Sequence, residues 1–137
     1  MSISFNNLIR RRMAILNDNG NTSIFCITKN RNGNILSYGY NTYNIDDKFS
    51  SQHAEVDAFK KLYKNLSRKR NSKKGRHSKK RCNVNVYIYR INKSGTKIMS
   101  ADPCAECVKF MSKQQKLFNV KKIFCSTNDG NLKIVSI

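Results

Sequence analysis

The sequence lacks any apolar run near the ~20 residues that a membrane-spanning helix needs. It also lacks the order of a secretory signal: in the opening MSISFNNLIRRRMAIL the arginines follow the apolar residues instead of preceding them. Acidic residues are scarce, 8 against 27 Lys and Arg. Cysteines number five, an odd count that argues against a disulfide framework in a chain without a secretion signal. Proline occurs once, at Pro103. These absences point to a soluble, intracellular chain without a membrane anchor. The cytoplasm is the expected compartment, and the basic stretch described below leaves the nucleus open. A length of 137 residues points to one domain. A chain of that size buries roughly two-thirds of its unfolded surface, so it needs no metal merely to hold together.

The net charge is +19. About half of it comes from Arg68 to Arg81, where Arg68, Lys69, Arg70, Lys73, Lys74, Arg76, Lys79, Lys80 and Arg81 stand with no acid among them. Such a surplus suggests an anionic partner, nucleic acid or nucleotide phosphate. A second source is codon bias: Asn, Lys and Ile are all abundant, and AT-rich codons encode them.

Apolar spacing predicts the elements. Phe5, Leu8, Ile9, Met13 and Leu16 recur at helical period, so Ser4 to Leu16 reads as an amphipathic helix ended by Asn17 to Asn21. Two β runs follow, Ser23 to Lys29 and Ile35 to Tyr40, joined by a hairpin loop at Asn30 to Asn34. A second helix starts near His53, with Ser50 or Ser51 as its cap and Ala58, Phe59, Leu62, Tyr63 and Leu66 as its buried stripe. Ser67 to Arg81 has almost no apolar residue and reads as a solvated loop. Val84, Val86 and Ile88 define a strand reaching Ile91. Cys104 to Phe118 reads as a third helix with Val108 and Met111 inward. Lys121 to Ser126 and Asn131 to Ile137 are final strands around Asn128-Asp129-Gly130, a hairpin signal. Four residues between them cannot make a parallel crossover, which needs about a dozen, so that pair must be antiparallel. The order α-β-β-α-β-α-β-β predicts one α/β domain with a mixed sheet and helices packed against it.

Two segments carry chemistry: His53-Ala54-Glu55 and Pro103-Cys104-Ala105-Glu106-Cys107. Cys104 and Cys107 lie one helical turn apart on a shared face, at a helix start whose dipole favours thiolate. Pro103 gives that helix a rigid lead-in. Two thiolates and an imidazole make three ligands, the number a catalytic zinc site uses while leaving its fourth position to water. Glu55 is placed to move protons without ligating the metal. Either segment alone is an ordinary helix start, and a Cys-x-x-Cys alone is also a redox pair or half a zinc ribbon. A ribbon needs a second pair, which Cys26, Cys82 and Cys125 do not form. Cys26 and Cys125 fall in predicted strands and read as buried thiols. Glu106 is expected to face solvent or a neighbouring helix. Tyr87 and Tyr89 read as sheet packing, with base stacking the alternative. For Cys82 and His77 the sequence pattern suggests no role.

The two segments together resemble the signature of the cytidine deaminase-like superfamily, a histidine-x-glutamate followed by a proline-cysteine-x-x-cysteine. The resemblance covers nearly the whole chain, since the order of elements is also similar. It implies a three-layer fold with a mixed five-stranded sheet flanked by helices, its last two strands an antiparallel hairpin. It implies Zn²⁺ on His53, Cys104 and Cys107, proton transfer by Glu55, attack on an amidine-like ring carbon and loss of ammonia. It also implies substrate contacts at Ala54 and at Asn41 of Gly39-Tyr40-Asn41, although an asparagine there is equally a turn residue. The 47 residues between Glu55 and Pro103 exceed the family's usual spacing. Without Ser67 to Arg81 they fall to 32, so that stretch reads as a basic insertion. Within the superfamily, enzymes acting on free cytidine resemble one another in a final antiparallel hairpin, whereas those acting on adenine in transfer RNA have parallel final strands. The hairpin therefore favours a free pyrimidine nucleoside or nucleotide as substrate, and some polynucleotide-directed and toxin-like relatives share it. His53 departs from the free-cytidine pattern, which usually has cysteine there. The alternatives are a deaminase acting on a base within RNA or DNA, with the basic insertion gripping phosphates, and a non-catalytic zinc module that binds nucleic acid. Relatives commonly form homo-oligomers, so one is expected here.

Overall fold

The computed structural model describes residues 23–41, 53–72, 82–92 and 97–136. Six strands and two helices run in the order β1 (Ser23–Lys29), β2 (Ile35–Tyr40), α1 (Ala54–Ser72), β3 (Cys82–Ile91), β4 (Ile98–Met99), α2 (Ala105–Lys113), β5 (Phe118–Ser126) and β6 (Leu132–Val135). The predicted helix Ser4 to Leu16, its terminator, the Ser50 or Ser51 cap, and His77 lie outside the described residues.

The sheet runs β2-β1-β3-β5-β6, with β4 pairing β3 off that path. β1 is antiparallel to β2 and β3, β3 and β5 are parallel, and β6 is antiparallel to β5. The expected mixed α/β sheet with a closing hairpin is present. A sixth strand is added because β4 is only two residues long, too short for any alternation in sequence to show. Both hairpin loops turn on glycines with positive φ, Gly33 at +83° and Gly130 at +81°.

One face of the sheet carries Cys26, Val84, Val86, Ile88, Val120, Ile123 and Cys125. These pack with Ala54, Ala58, Phe59 and Leu62 of α1 and Met111 of α2 into the core. β1 buries its other face too, through Phe25 and Ile27. Burial on both faces is what a three-layer architecture requires.

Helix α1 lies close against β2. Ser37 Oγ donates to the Ala58 carbonyl at 2.9 Å, Tyr40 N–H to Asp57 Oδ2 at 3.1 Å, and Asn65 Nδ2 to the Leu36 carbonyl at 3.1 Å. The approach is tightest at Gly39. A Cβ there would stand 2.4 Å from Ala58 N and 2.5 Å from the Ala54 carbonyl oxygen.

Four boundaries differ from expectation. The second helix continues to Ser72, so Ser67–Ser72 is helical and not a loop. Arg and Lys are good helix formers, and a packed helix extends easily through them. The rest of the basic stretch, 73–81, lies outside the described residues. Tyr63 is exposed, because Ala58, Phe59 and Leu62 already fill the face turned to the sheet. The third helix stops at Lys113, passes through a 3₁₀ turn at Gln114–Lys116, and gives way to a strand from Phe118. There Gln115 exchanges side-chain hydrogen bonds with the Val120 backbone at 3.1 and 3.2 Å, which holds the reversal that propensity alone does not foresee. β6 spans only Leu132–Val135 of the longer predicted strand, and its outer residues are exposed.

Two predictions follow from this packing. Gly39→Ala forces a methyl group into the α1 backbone and should lower unfolding stability by about 1–3 kcal/mol, read by urea denaturation. Burial pushes the Cys125 thiol up to about 11 and holds that of Cys26 well above its usual value. A raised folded-state pKa stabilises below the unfolded value and loses that contribution as pH climbs through the folded one. The urea midpoint should therefore fall between about pH 9 and pH 11.

Candidate metal and catalytic site

The helix starts bring the predicted residues together. His53 directly precedes α1, and its carbonyl accepts the Asp57 N–H at 3.1 Å, closing the first turn. Glu55 and Asp57 fill that turn, where acids suit the helix dipole. Cys104 caps α2 in extended backbone (φ −69°, ψ 164°), and its Sγ accepts the Cys107 N–H at 3.4 Å. The approach to that cap is tied to the end of β5. Ala101 N–H donates to the Ser126 carbonyl at 3.0 Å, Ser126 Oγ to the Met99 carbonyl at 2.6 Å, and Ser100 N–H to Asn128 Oδ1 at 2.8 Å. Asp102 adds an ion pair with Lys133 of β6.

The result is a compact cluster. Cys107 Sγ lies 3.1 Å from His53 Nδ1 and 3.2 Å from Cys104 Sγ, and Cys104 Sγ lies 3.7 Å from His53 Nδ1. Tetrahedral zinc, with bonds of about 2.3 Å to sulfur and 2.0–2.1 Å to nitrogen, asks for ligand separations of roughly 3.6–3.8 Å. The three donors reach that within about half an ångström. Their type also fits: two sulfurs and one imidazole nitrogen are a zinc set, and three protein ligands leave a position open. His53 and Cys104 are exposed and Cys107 is buried, so the cluster opens to solvent on one side.

Glu55 borders the cluster without joining it. It is 4% exposed, and its Oε2 accepts the Cys107 thiol at 3.1 Å. Burial pushes the Cys107 thiol well up, and the Glu55 carboxylate beside it pushes further. A divalent cation reverses that preference, because a coordinating thiol is deprotonated outright. Cys26 of β1 lies buried in the same core cluster as Ala54, the residue between His53 and Glu55.

Asn41 and Ala54 sit in different surroundings. Asn41 is buried at the end of β2, where its Oδ1 accepts the Ile24 N–H at 2.9 Å and extends the ladder of β1. Ala54 is buried with its carbonyl against Gly39. Arg68, Lys69 and Arg70 lie in the last turns of α1, a helix of 19 residues and hence about 28 Å long, far from His53. Lys73, Lys74, Arg76, Lys79, Lys80 and Arg81 lie outside the described residues. Glu106 is exposed, and Tyr87 stacks on Phe124 with ring centroids 4.8 Å apart.

Sequence reasoning passed over two residues. Asp57 ties the end of β2 to α1, and its signal was present as an acid in a first helical turn. Arg90 pairs with Ile24 on the sheet face that carries Cys26 and Ile88, one residue pair nearer the edge. Its Nε is shielded from solvent without a hydrogen-bond partner among the described residues. Nothing in the strand's alternation marks that position.

The sequence matches the family model for the cytidine and deoxycytidylate deaminase zinc-binding region over residues 8–127. The chain belongs to that family. It is a zinc-dependent deaminase domain, and His53, Cys104 and Cys107 are the group that can hold the metal. The fold is similar to that of the cytidine deaminase from Mycobacterium leprae, with TM-score 0.51, 16% identity, and coverage of 97% of this chain and 94% of that one. It is also similar to the cytidine deaminase from Burkholderia pseudomallei, with TM-score 0.50, 15% identity, and coverage of 98% and 93%. No curated protein matches the sequence. Among the described residues no helix is long and apolar enough to cross a membrane.

Elemental analysis of this deaminase should find about one zinc per chain. Cys104→Ala with Cys107→Ala should abolish it while leaving far-ultraviolet circular dichroism unchanged, because most of the core lies in the sheet and α1 and Met111 keeps α2 docked.

Proposed function

We propose that this chain hydrolyses the exocyclic amine of a cytosine-type base in a free nucleoside or nucleotide, releasing ammonia and leaving a uracil-type base. The observation that carries this reading is the buried carboxylate of Glu55, held 3.1 Å from a metal-ligand sulfur. Zinc held there would supply a Lewis-acid centre that yields a water-derived nucleophile at neutral pH. Glu55 accepts a proton from the attacking water and returns it to the ring nitrogen or the departing amine, so water adds, ammonia leaves and the carboxylate is regenerated. A structural zinc site has no use for such a carboxylate and is closed by a fourth protein ligand. Among the described residues no fourth ligand joins the group.

The antiparallel pairing of β5 with β6 supports the free-substrate side of the superfamily, since the resemblance associates parallel final strands with polynucleotide adenine substrates. Asn41 orients the sugar, with its Oδ1 already anchored by the Ile24 N–H and its backbone at the end of β2. Ala54 stands between His53 and Glu55 with its side chain in the core, so it meets the base through its backbone. Arg90 offers a cationic donor on the same sheet face, suited to a phosphate. The preferred substrate is therefore the monophosphate. Assembly into a homo-oligomer and an intracellular location belong to the same reading.

Ammonia release and product mass over cytidine, deoxycytidine, their monophosphates, adenosine, guanine and single-stranded RNA and DNA check it. Cytosine monophosphates should turn over best. Glu55→Gln should keep its zinc and lose at least 100-fold in kcat, the lower range for removing a general acid-base. Arg90→Met should lower kcat/KM for the monophosphate about tenfold and leave the nucleoside unchanged. Turnover of purines with none for cytosine overturns the base assignment. A near wild-type rate for Glu55→Gln removes the role given to that residue.

A further inference from the structure

The face of the sheet away from α1 carries a feature that deamination does not use. A groove of about 490 Å³ lies there, lined by Arg31, Asn83, Val84, Asn85, Lys121, Lys122 and Phe124. It lies near the start of β3 and midway along β5; Lys122 is roughly 13 Å along β5 from Ser126, which braces the metal site, and Phe124 about half as far, on the opposite face of the sheet from the cluster.

A β-bulge builds its cationic wall. Val84 pairs with Val120, but the next pair is Asn85 with Lys122, so Lys121 is an extra residue in β5. Strict alternation would turn one of two adjacent lysines into the core. The bulge leaves both exposed and returns Ile123 to burial. Arg31, in the β1–β2 loop, supplies the facing cation across β3. No ion pair involves Arg31, Lys121 or Lys122 among the described residues. No acid lines the groove, and the described acids lie elsewhere. Glu55 and Asp57 start α1, Asp102 and Glu106 flank the start of α2, and Asp129 sits in the β5–β6 turn. Among the described residues the groove is therefore cationic with no acid to neutralise it.

The remaining lining is aromatic and amide. Phe124 stacks on Tyr87 with an interplanar angle of 16°, and Lys29 Nζ lies 4.7 Å from the Tyr87 centroid. Asn83 is fixed by a 2.8 Å hydrogen bond from Asn119 Nδ2 to its Oδ1. Cations that contact phosphates, a ring on which a base stacks, and amides that reach base edges are the elements of single-strand recognition. The cations extend from the β1 loop to β5, two strand spacings or roughly 10 Å, which is wider than one phosphate group.

We propose that this groove binds single-stranded polynucleotide, with Arg31, Lys121 and Lys122 on successive phosphates and Phe124 against a base. The site is separate from the metal cluster and stands whether or not the deaminase reading is right. A strand held there leaves the metal cluster, on the other face of the sheet, open.

Fluorescence anisotropy on the full, zinc-loaded chain tests this with three labelled probes: a thymidine 12-mer, an abasic 12-mer of the same phosphate count, and a 12-base-pair duplex. None contains an accessible cytosine when the duplex is built from adenine and thymine. The thymidine strand should bind most tightly. Arg31→Ala with Lys121→Ala and Lys122→Ala should weaken it at least tenfold and reduce the salt slope by about two, from three contacts at ~0.7 each. Phe124→Leu, whose fold is verified by retained zinc, should weaken the thymidine strand about fivefold and the abasic strand less than twofold. Lys60→Ala with Lys64→Ala and Lys109→Ala removes the same charge from exposed helix positions and should change binding less than twofold. Ammonia release from free substrate should be unchanged in the groove triple variant. Equal weakening by the two triple variants, affinity within twofold of wild type in the groove variant, or duplex binding as tight as the single strand overturns the proposal.

Discussion

The contact between Gly39 and the first turns of α1 is the constraint on which the site depends. A metal cluster built from two helix starts works only if both starts are held to a fraction of an ångström. With no side chain at Gly39, the Ala54 carbonyl and the Ala58 amide come down onto β2. Ala54 and Ala58 are themselves small, so the helix axis lies nearer the sheet than larger residues would allow. Hydrogen bonds from Ser37 and to Asp57 then fix the rotation of α1 about its axis. That rotation decides whether Glu55 is buried beside Cys107 or turned to water. At the other helix, backbone bonds at Ala101 and the Ser126 hydroxyl act in the same way on Cys104. The sheet is the common ruler: His53 and Glu55 are referred to β2, Cys104 and Cys107 to β5, and β1 and β3 join the two.

Among the described residues most acids lie at the two helix starts, where macrodipoles favour them. Lys61 and Lys133 pair with two of these acids, while Lys121 and Lys122 stand in the groove on the other face of the sheet. The position of the helix end also explains how a long basic stretch can be accommodated between α1 and β3. The added residues leave and rejoin the fold at the end remote from the ligands, so the spacing between Glu55 and Pro103 can grow without moving either.

The sequence by itself determined the candidate metal ligands and, β4 apart, the order of the described elements. His53, Glu55, Cys104 and Cys107 were legible because their type and spacing constrain one another: two cysteines a helical turn apart after a proline, and a histidine two residues before a glutamate. β1 and β2 were legible to the residue, since alternation and an Asn/Gly-rich loop are local signals. The antiparallel sense of β5 and β6 followed from the length of a four-residue connection. Cys26 and Cys125 were recognisable as core thiols from their place in apolar strands.

Only the tertiary structure decided the rest, and the deciding term is a contact that exists only once the chain has folded back on itself. The end of α1 was not readable because lysine and arginine suit helix and solvated loop equally, and packing upstream settles the choice. The stop of α2 at Lys113 depends on Gln115 bonding to Val120, a partner that exists only once the chain has reversed. β4 is two residues whose strand character comes wholly from β3. The value of Gly39 lies in a helix 15 to 19 residues away, and the hidden Nε of Arg90 in what surrounds it. The paired exposure of Lys121 and Lys122 needs a bulge that is defined by register against β3, which no property of β5 alone can express. Residue type fixed what the site can do, and three-dimensional contact fixed where each group points.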